Sequence, residues 1–479
     1  MPCRAGEHGG IGRRSGLKIR RRQRCGGSSP PAPISGFDLL TPNRLRLLLQ
    51  ILLQGLLLGA LVGLACWPFN WMDRWQDQLL GRLPAFSGGP WTPLALALAC
   101  SPLLVVPLLL LLQRRVLASG AGSGIPQVMA SIEEPGRGER LLGLTPTLHR
   151  LVLWCGATLS LLPLGREGPV VHMGAAVAQG LRRRFPGLLP GLSQAQLLAL
   201  AGGAGLAGGF NTPLLGVVFV VEEFLGSFAP QLIWPALLIS AAAAAISSLG
   251  GQPEFAMGVL GAQPLELIQL LWAVPLGVVG GLLGGGFSRL LLRVSRRCLG
   301  PARRQPLRLG LAVGAALTLS LLLSGGASGG DGELLMHHLL AEGQLQGPLG
   351  SGIPAELLTL LLRVVGPVLA LGVSIPGGLI DPAFAFGALL GHSAGQLLGE
   401  PQLGLALGMT AGLAGATQLP VMAVLFALRL AGDQQLLPGI LLAAVLAAYS
   451  SRLLLDRPVY HALMDLMDAP ESTGPSARG

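Results

Sequence analysis

Residues 165–169 read Gly-Arg-Glu-Gly-Pro, with Leu161-Leu-Pro-Leu164 before them and Val170-Val171 after them. A glutamate in such an apolar setting is costly, at about 2.5–3.5 kcal/mol for a charge at bilayer depth. It is tolerated where it faces a bundle interior or a polar pathway. Glycine and proline on either side interrupt the helix, and a helix restarting there presents free N–H groups to an anion. The pentapeptide therefore predicts a broken-helix permeation site containing a protonatable group.

The surrounding composition supports a membrane setting. Of 479 residues, 51% are hydrophobic and 12% charged, against about 25% charged in a soluble domain. Apolar stretches recur from 46–66 to 436–449, several of them shorter than the roughly 20 residues that cross a bilayer. With 72 Gly and 37 Pro, the chain has many interruptions. Non-helical backbone at that depth is sheltered by protein or lines a cavity. A pump, channel or transporter fits better than a simple receptor bundle.

Much of the net charge of +10 lies in residues 1–24, where eight Lys/Arg face Glu7. Residues 1–44 are expected to form a basic, disordered cytoplasmic tail by the positive-inside rule. Residues 1–24 contain no Phe, Tyr or Trp, and no nucleic-acid partner is expected. The polar run Gly26–Pro33 argues against a signal peptide. The six cysteines form no CxxC pair, so no disulfide or cysteine metal site is expected, and the middle four read as small buried thiols. His149, His172, His392 and His461 lack metal spacing and read as packing or interfacial residues. No metal or cofactor is expected.

The chain repeats itself. Ala204-Gly-Leu-Ala-Gly208 recurs as Ala411-Gly-Leu-Ala-Gly415, and the same offset carries Pro213 onto Pro420 and Phe219 onto Phe426. Two repeats are expected, at 45–250 and 265–450, followed by a C-terminal helix and short tail at 451–479. The connection at about 67–92 holds Asp73 and Asp77, whereas 289–308 holds seven arginines and no acid. The first reads as external and the second as cytoplasmic, so the repeats are inverted in the membrane.

Three interruptions precede helix-forming runs: Gly122-Ser-Gly-Ile-Pro126, Gly165–Pro169 and Pro376-Gly-Gly-Leu-Ile-Asp-Pro382; Tyr460 follows Pro458. Helix N-termini carry roughly +0.5 of a charge each. Several converging would hold an anion without a fixed cation that binds it too tightly, and the hydroxyls of Ser123 and Tyr460 would add donors. Together with Asn211–Glu223, these segments make the chain resemble the chloride channel (CLC) family of anion channels and anion/proton antiporters, from about residue 45 to 466.

The resemblance implies an all-α integral membrane bundle of broken helices in two inverted-topology repeats, working as a homodimer with one pathway per subunit. Ser123, the N–H groups of Leu379 and Ile380, and Tyr460 would bind the anion. Glu167 would be the external gate, competing with the anion and leaving its site when protonated. Glu223 would transfer protons on the cytoplasmic side. The function so implied is chloride/proton exchange, with a passive chloride channel as the alternative. A chain ending near 479 has no room for a regulatory domain pair, which suggests a prokaryotic inner membrane.

The residues alone leave other readings open. Ser123 can cap a helix, Glu167 can pair with Arg166, Glu223 can end a helix, and Tyr460 can be an interfacial aromatic. Ile380 and Asp381 depart from the family's usual G-x-F-x-P pattern. Asp381 is expected to turn away and cap its helix, or else to modulate anion affinity and proton coupling. Gln127 replaces a common acid and Arg150 keeps a usual base; neither is expected to touch a ligand. A second Gly-Ser-Gly-Ile-Pro at 350–354 reads as a chance helix start. Gly326-Ala-Ser-Gly329 with His337 and His338 resembles an intramembrane serine protease motif, but both residue types lie in one connection rather than on packed helices.

Overall fold

The computed structural model describes residues 42–226, 229–251, 271–348, 350–431 and 436–468. The basic segment 1–24, the start of the second repeat at 265 and residues 469–479 lie outside these. From Leu48 the described chain forms one unit. It is helical apart from a hairpin of β1 (Gln346–Gly347) and β2 (Gly350–Ser351).

The first half comprises α1 (Pro42–Leu80), α2 (Pro93–Arg115), α3 (Ile125–Glu133), α4 (Leu144–Leu159), α5 (Glu167–Arg184), α6 (Gln194–Phe210), α7 (Pro213–Phe219) and α8 (Pro230–Leu249). The second comprises α9 (Ala273–Arg304), α10 (Pro306–Leu323), α11 (Glu333–Glu342), α12 (Ile353–Gly372), α13 (Ile380–Leu398), α14 (Pro401–Thr417), α15 (Pro420–Ala431) and α16 (Leu437–Ser451). The last helix is α17 (Val459–Asp468). Among the described residues, six helices are long and apolar enough to cross a membrane. Leu104, Trp234 and Leu249 are among the large apolar side chains on the outer surface, which suits acyl chains rather than water.

The halves match in detail. α14 starts and ends in the same register with α6 as the repeated pentapeptide. Non-glycine residues with positive φ, uncommon in proteins, recur in pairs: Leu161 with Ser374, and Asn211 with Gln418. Buried Arg150 on α4 donates to the carbonyls of Ala121 (3.0 Å) and Gly122 (3.3 Å). Its counterpart is Arg363 on α12, in the register that pairs Leu161 with Ser374. Arg363 donates to the carbonyls of Ala327, Gly330 and Gly329 at 2.9, 2.8 and 2.5 Å. Each arginine clamps the loop that leads into its own half's short helix, α3 or α11.

The counterpart of Gly122-Ser-Gly124 is therefore Gly330-Asp-Gly332, whose glycines share its left-handed φ values. The copy at 350–354 belongs to the extra hairpin of the second half. Ser351 there is exposed and pairs with Gln346 across the strands.

At the centre, Gly165 and Gly378 form an antiparallel bridge, N–H to carbonyl both ways at 3.1 and 2.8 Å. Equivalent residues pairing antiparallel with each other put the pseudo-two-fold axis between them, which is the inversion expected from the charges. Two expectations fail. The segments 67–92 and 289–308 are largely helix, because α1 continues to Leu80 and α9 to Arg304. Among the described cysteines, Cys66, Cys100, Cys155 and Cys298, only Cys66 is buried, and Cys100 is exposed; an apolar thiol on an outward helix face needs no burial in a lipid setting.

Candidate anion and proton site

Three broken segments deliver helix N-termini as expected: α3 begins at Ile125, α5 at Glu167 and α13 at Ile380. The loop before α3 is fixed from several sides. Gln127 Oε1 accepts from Gly124 N–H (2.9 Å), its Nε2 donates to Ala121 O (3.1 Å), and Gly122 N–H donates to Ser374 O (2.9 Å). Arg150 completes the clamp. Gln127 and Arg150 touch no proposed ligand atom directly, yet they hold the loop that carries one.

Ser123 does not cap α3. Gly124 is the N-cap, and the buried Ser123 Oγ has no hydrogen-bond partner among the described residues. Gly168 makes room for it, since a Cβ there would meet Ser123 Oγ and O. Tyr460 is wholly buried rather than interfacial, and its hydroxyl is likewise unpartnered among the described residues. A cavity lined by Ser123, Leu379, Ser295, Leu299, Leu463 and Met467 lies beside the Ser123 loop.

Glu167 is fully buried. Its Oε1 accepts a hydrogen bond from the backbone N–H of Asp381 on the first turn of α13, while Oε2 has no partner among the described residues. A Cβ on Gly378 would fall on that carboxylate. The negative side chain thus occupies the N-terminus of the second half's broken helix, where the dipole favours an anion. The amide that reaches it is that of Asp381, just beyond the expected Leu379 and Ile380.

Arg166 does not pair with Glu167. It bonds Asp73, lies 3.8 Å from Glu333, and sits over the Phe210 ring at 4.7 Å. Asp73, Asp331 and Glu333 present carboxylate oxygens within 4.8 Å of one another, and the Arg166 guanidinium occupies that cluster. Asp381 does not cap α13 either: neither of its carboxylate oxygens accepts a hydrogen bond among the described residues.

The adjacent glutamates at 222 and 223 have different surroundings, in a π-helical stretch, Val220–Leu225, that continues α7. Such bulges are frequent at functional sites. Glu222 accepts from Val421 N–H (2.9 Å) and Met422 N–H (2.8 Å), capping α15. Glu223 is buried, and its Oε1 lies 3.4 Å from His461 Nδ1. His461 follows Tyr460 on α17, and its half-buried imidazole faces Glu223.

The other histidines bond to Ser119 (His149), Arg150 (His172) and Glu356 (His392). The protease-like motif is not assembled. Ser328 Oγ accepts from Ser320 and Ser324, His337 is 4.0 Å from Glu333, and His338 packs on Phe86.

Residues 104–452 match the family model described as voltage gated chloride channel. The chain is 29% identical over 393 residues to the H(+)/Cl(-) exchange transporter ClcA of Cronobacter sakazakii, covering 78% of this chain and 80% of that protein. It is 28% identical over 371 residues to the ClcA of Yersinia pestis, covering 73% of each. Among solved structures it resembles a slow cyanobacterial Cl-/H+ antiporter, with a TM-score of 0.70, 24% identity and 90% and 99% coverage. It also resembles a CLC-type fluoride/proton antiporter, with a TM-score of 0.69, 24% identity and 88% and 99% coverage.

Proposed function

The chain belongs to the voltage-gated chloride channel family, and from that premise we propose that it exchanges chloride for protons across a membrane. The observation that carries this reading is the seat of Glu167. A carboxylate on the α13 N-terminus is a tethered competitor for an anion site. Protonation removes the charge that holds it there, and the freed amides can then accept chloride. One side chain thereby links the two ions.

Ser123, the α13 amides at Leu379 and Ile380, and Tyr460 are the anion ligands of this scheme, Glu167 is its outer gate, and Asp381 modulates. The unpartnered Ser123 and Tyr460 hydroxyls support a ligand role, because buried polar groups ordinarily find partners. Glu223 is the inner proton group. It is buried, does not cap a helix as Glu222 does, and faces a titratable histidine. A passive channel has no use for it, which favours exchange over the channel alternative.

The same reading makes the protein a homodimer with one pathway per subunit, in a lipid bilayer and most naturally a bacterial inner membrane. The bacterial ClcA relatives support that placement. The repeats 45–250 and 265–450 form the transport body, with α17 closing its inner side. The test is proton movement in vesicles loaded with chloride. Chloride efflux drives proton uptake against its gradient in the native chain, and Glu223→Gln abolishes the proton movement while chloride flux remains. Proton movement unaltered in Glu223→Gln would contradict the assignment.

A further inference from the structure

Asp381 is the counterpart of Gly168, in the same register that pairs Gly165 with Gly378. Gly168 is the glycine whose missing side chain leaves room for Ser123. At this equivalent position the second half carries a carboxyl group. Asp381 is 2% exposed, and both of its carboxylate oxygens lack hydrogen-bond partners among the described residues. Its backbone N–H donates to Glu167 Oε1, which makes the two carboxyl groups close neighbours.

The charged and titratable groups facing it are Glu167 and Arg166 from the start of α5, Asp331 from the loop before α11, and Tyr460 from α17. Of these only Arg166 is a cation, and it is engaged by Asp73 and Glu333. Arg363, nearby, spends its guanidinium on three carbonyls. Two ionised carboxylates side by side with water excluded repel strongly. They are also acceptors only, so a bond between them requires a proton.

We infer that Asp381 carries a proton at neutral pH and donates its O–H to whichever negative charge occupies the α13 N-terminus, the Glu167 carboxylate or the anion that replaces it. The inference rests on the exchange reading above. The proton stays on the Asp381 oxygen throughout: Glu167 takes its own proton from solvent as it leaves, and the incoming anion accepts the Asp381 hydrogen bond. A carboxylic acid kept neutral in an apolar site is an effective donor. Loss of that proton at alkaline pH places a negative charge beside the site and expels the anion.

The test uses the full chain in vesicles, with chloride flux measured under an electrical shunt. In Glu167→Gln the other titrating member of the pair is gone, and flux should fall at least about tenfold between about pH 6 and about pH 9 as Asp381 ionises. In Glu167→Gln/Asp381→Asn, which keeps a donor and cannot ionise, flux should stay within about twofold over that range. An alkaline fall that persists in the double variant, or its absence in Glu167→Gln, overturns the inference. If the double variant gives no flux, calorimetric chloride binding to purified Glu167→Gln supplies the deciding measurement. Affinity that collapses at the higher pH supports the inference and constant affinity overturns it. Failure of the exchange reading is separate, since it shows as chloride flux without proton movement in the native chain.

Discussion

Glu222 and Arg429 occupy equivalent positions in the two repeats, and each secures a helix end contributed by the opposite half. Glu222 accepts from the first amides of α15, while Arg429 donates to the carbonyls of Phe210 and Asn211 and to Thr212 Oγ1, at the end of α6. The same pseudo-symmetric position carries an acid at a helix start in one case and a base at a helix end in the other, as the helix dipole favours. This reciprocal capping ties the repeats together beside the proposed inner proton group.

Two neighbouring substitutions should therefore separate stability from transport. Glu222→Ala leaves two amides of α15 without their acceptor and should cost about 1–3 kcal/mol, lowering the unfolding midpoint in detergent. Glu223→Gln should leave that midpoint nearly unchanged and remove proton coupling. Equal loss of stability in both would contradict the division of labour.

Gly378→Ala tests the seat of the gate. The new Cβ would fall on the Glu167 carboxylate, so the side chain must leave the α13 N-terminus. Chloride flux should persist with the proton-to-chloride ratio driven toward zero. Full coupling in this variant would show that Glu167 does not need that seat.

Much of this arrangement is legible in the sequence. Gly165–Pro169 and Pro376–Pro382 announce broken helices by their glycines and prolines, and Ala204–Gly208 announces the repeat. The repeat of Gly122-Ser-Gly124 is hidden because its serine is replaced by Asp331 and because the offset between the halves drifts. The offset widens between that loop and the Arg150–Arg363 pair, where the hairpin at 346–351 adds residues to the second half. It narrows again by α6 and α14, where the connection at 185–193 adds residues to the first. The separate tasks of Glu222 and Glu223 depend on α15 and α17, which no local pattern could bring near. The clamps made by Gln127 and Arg150 escape a sequence reading for a similar reason: their side chains act on carbonyls of a loop, and carbonyls leave no mark in a sequence.

Ser123→Ala removes an unpartnered hydroxyl. It should weaken chloride binding by about 5- to 10-fold, the worth of one hydrogen bond of about 1 kcal/mol, as read by calorimetry. Ser351→Ala, in the exposed hairpin copy of the motif, should change nothing. A selectivity change confined to Ser351→Ala would move the anion site elsewhere.

His461→Ala removes the imidazole that lies 3.4 Å from Glu223. Proton flux should fall, most strongly at alkaline internal pH where protons are scarce, and chloride flux in a Glu167→Gln background should be spared. A parallel loss of both fluxes would mark His461 as a packing residue of α17 instead.

The most direct measurement of the central claim is the membrane voltage at which current through reconstituted protein reverses, taken at fixed chloride gradient and varied proton gradient. Exchange predicts that the reversal voltage moves systematically with the proton gradient, because each chloride is linked to proton movement in the opposite direction. A reversal voltage that stays at the chloride equilibrium value, whatever the proton gradient, would contradict the account and leave a passive chloride pathway on the same scaffold.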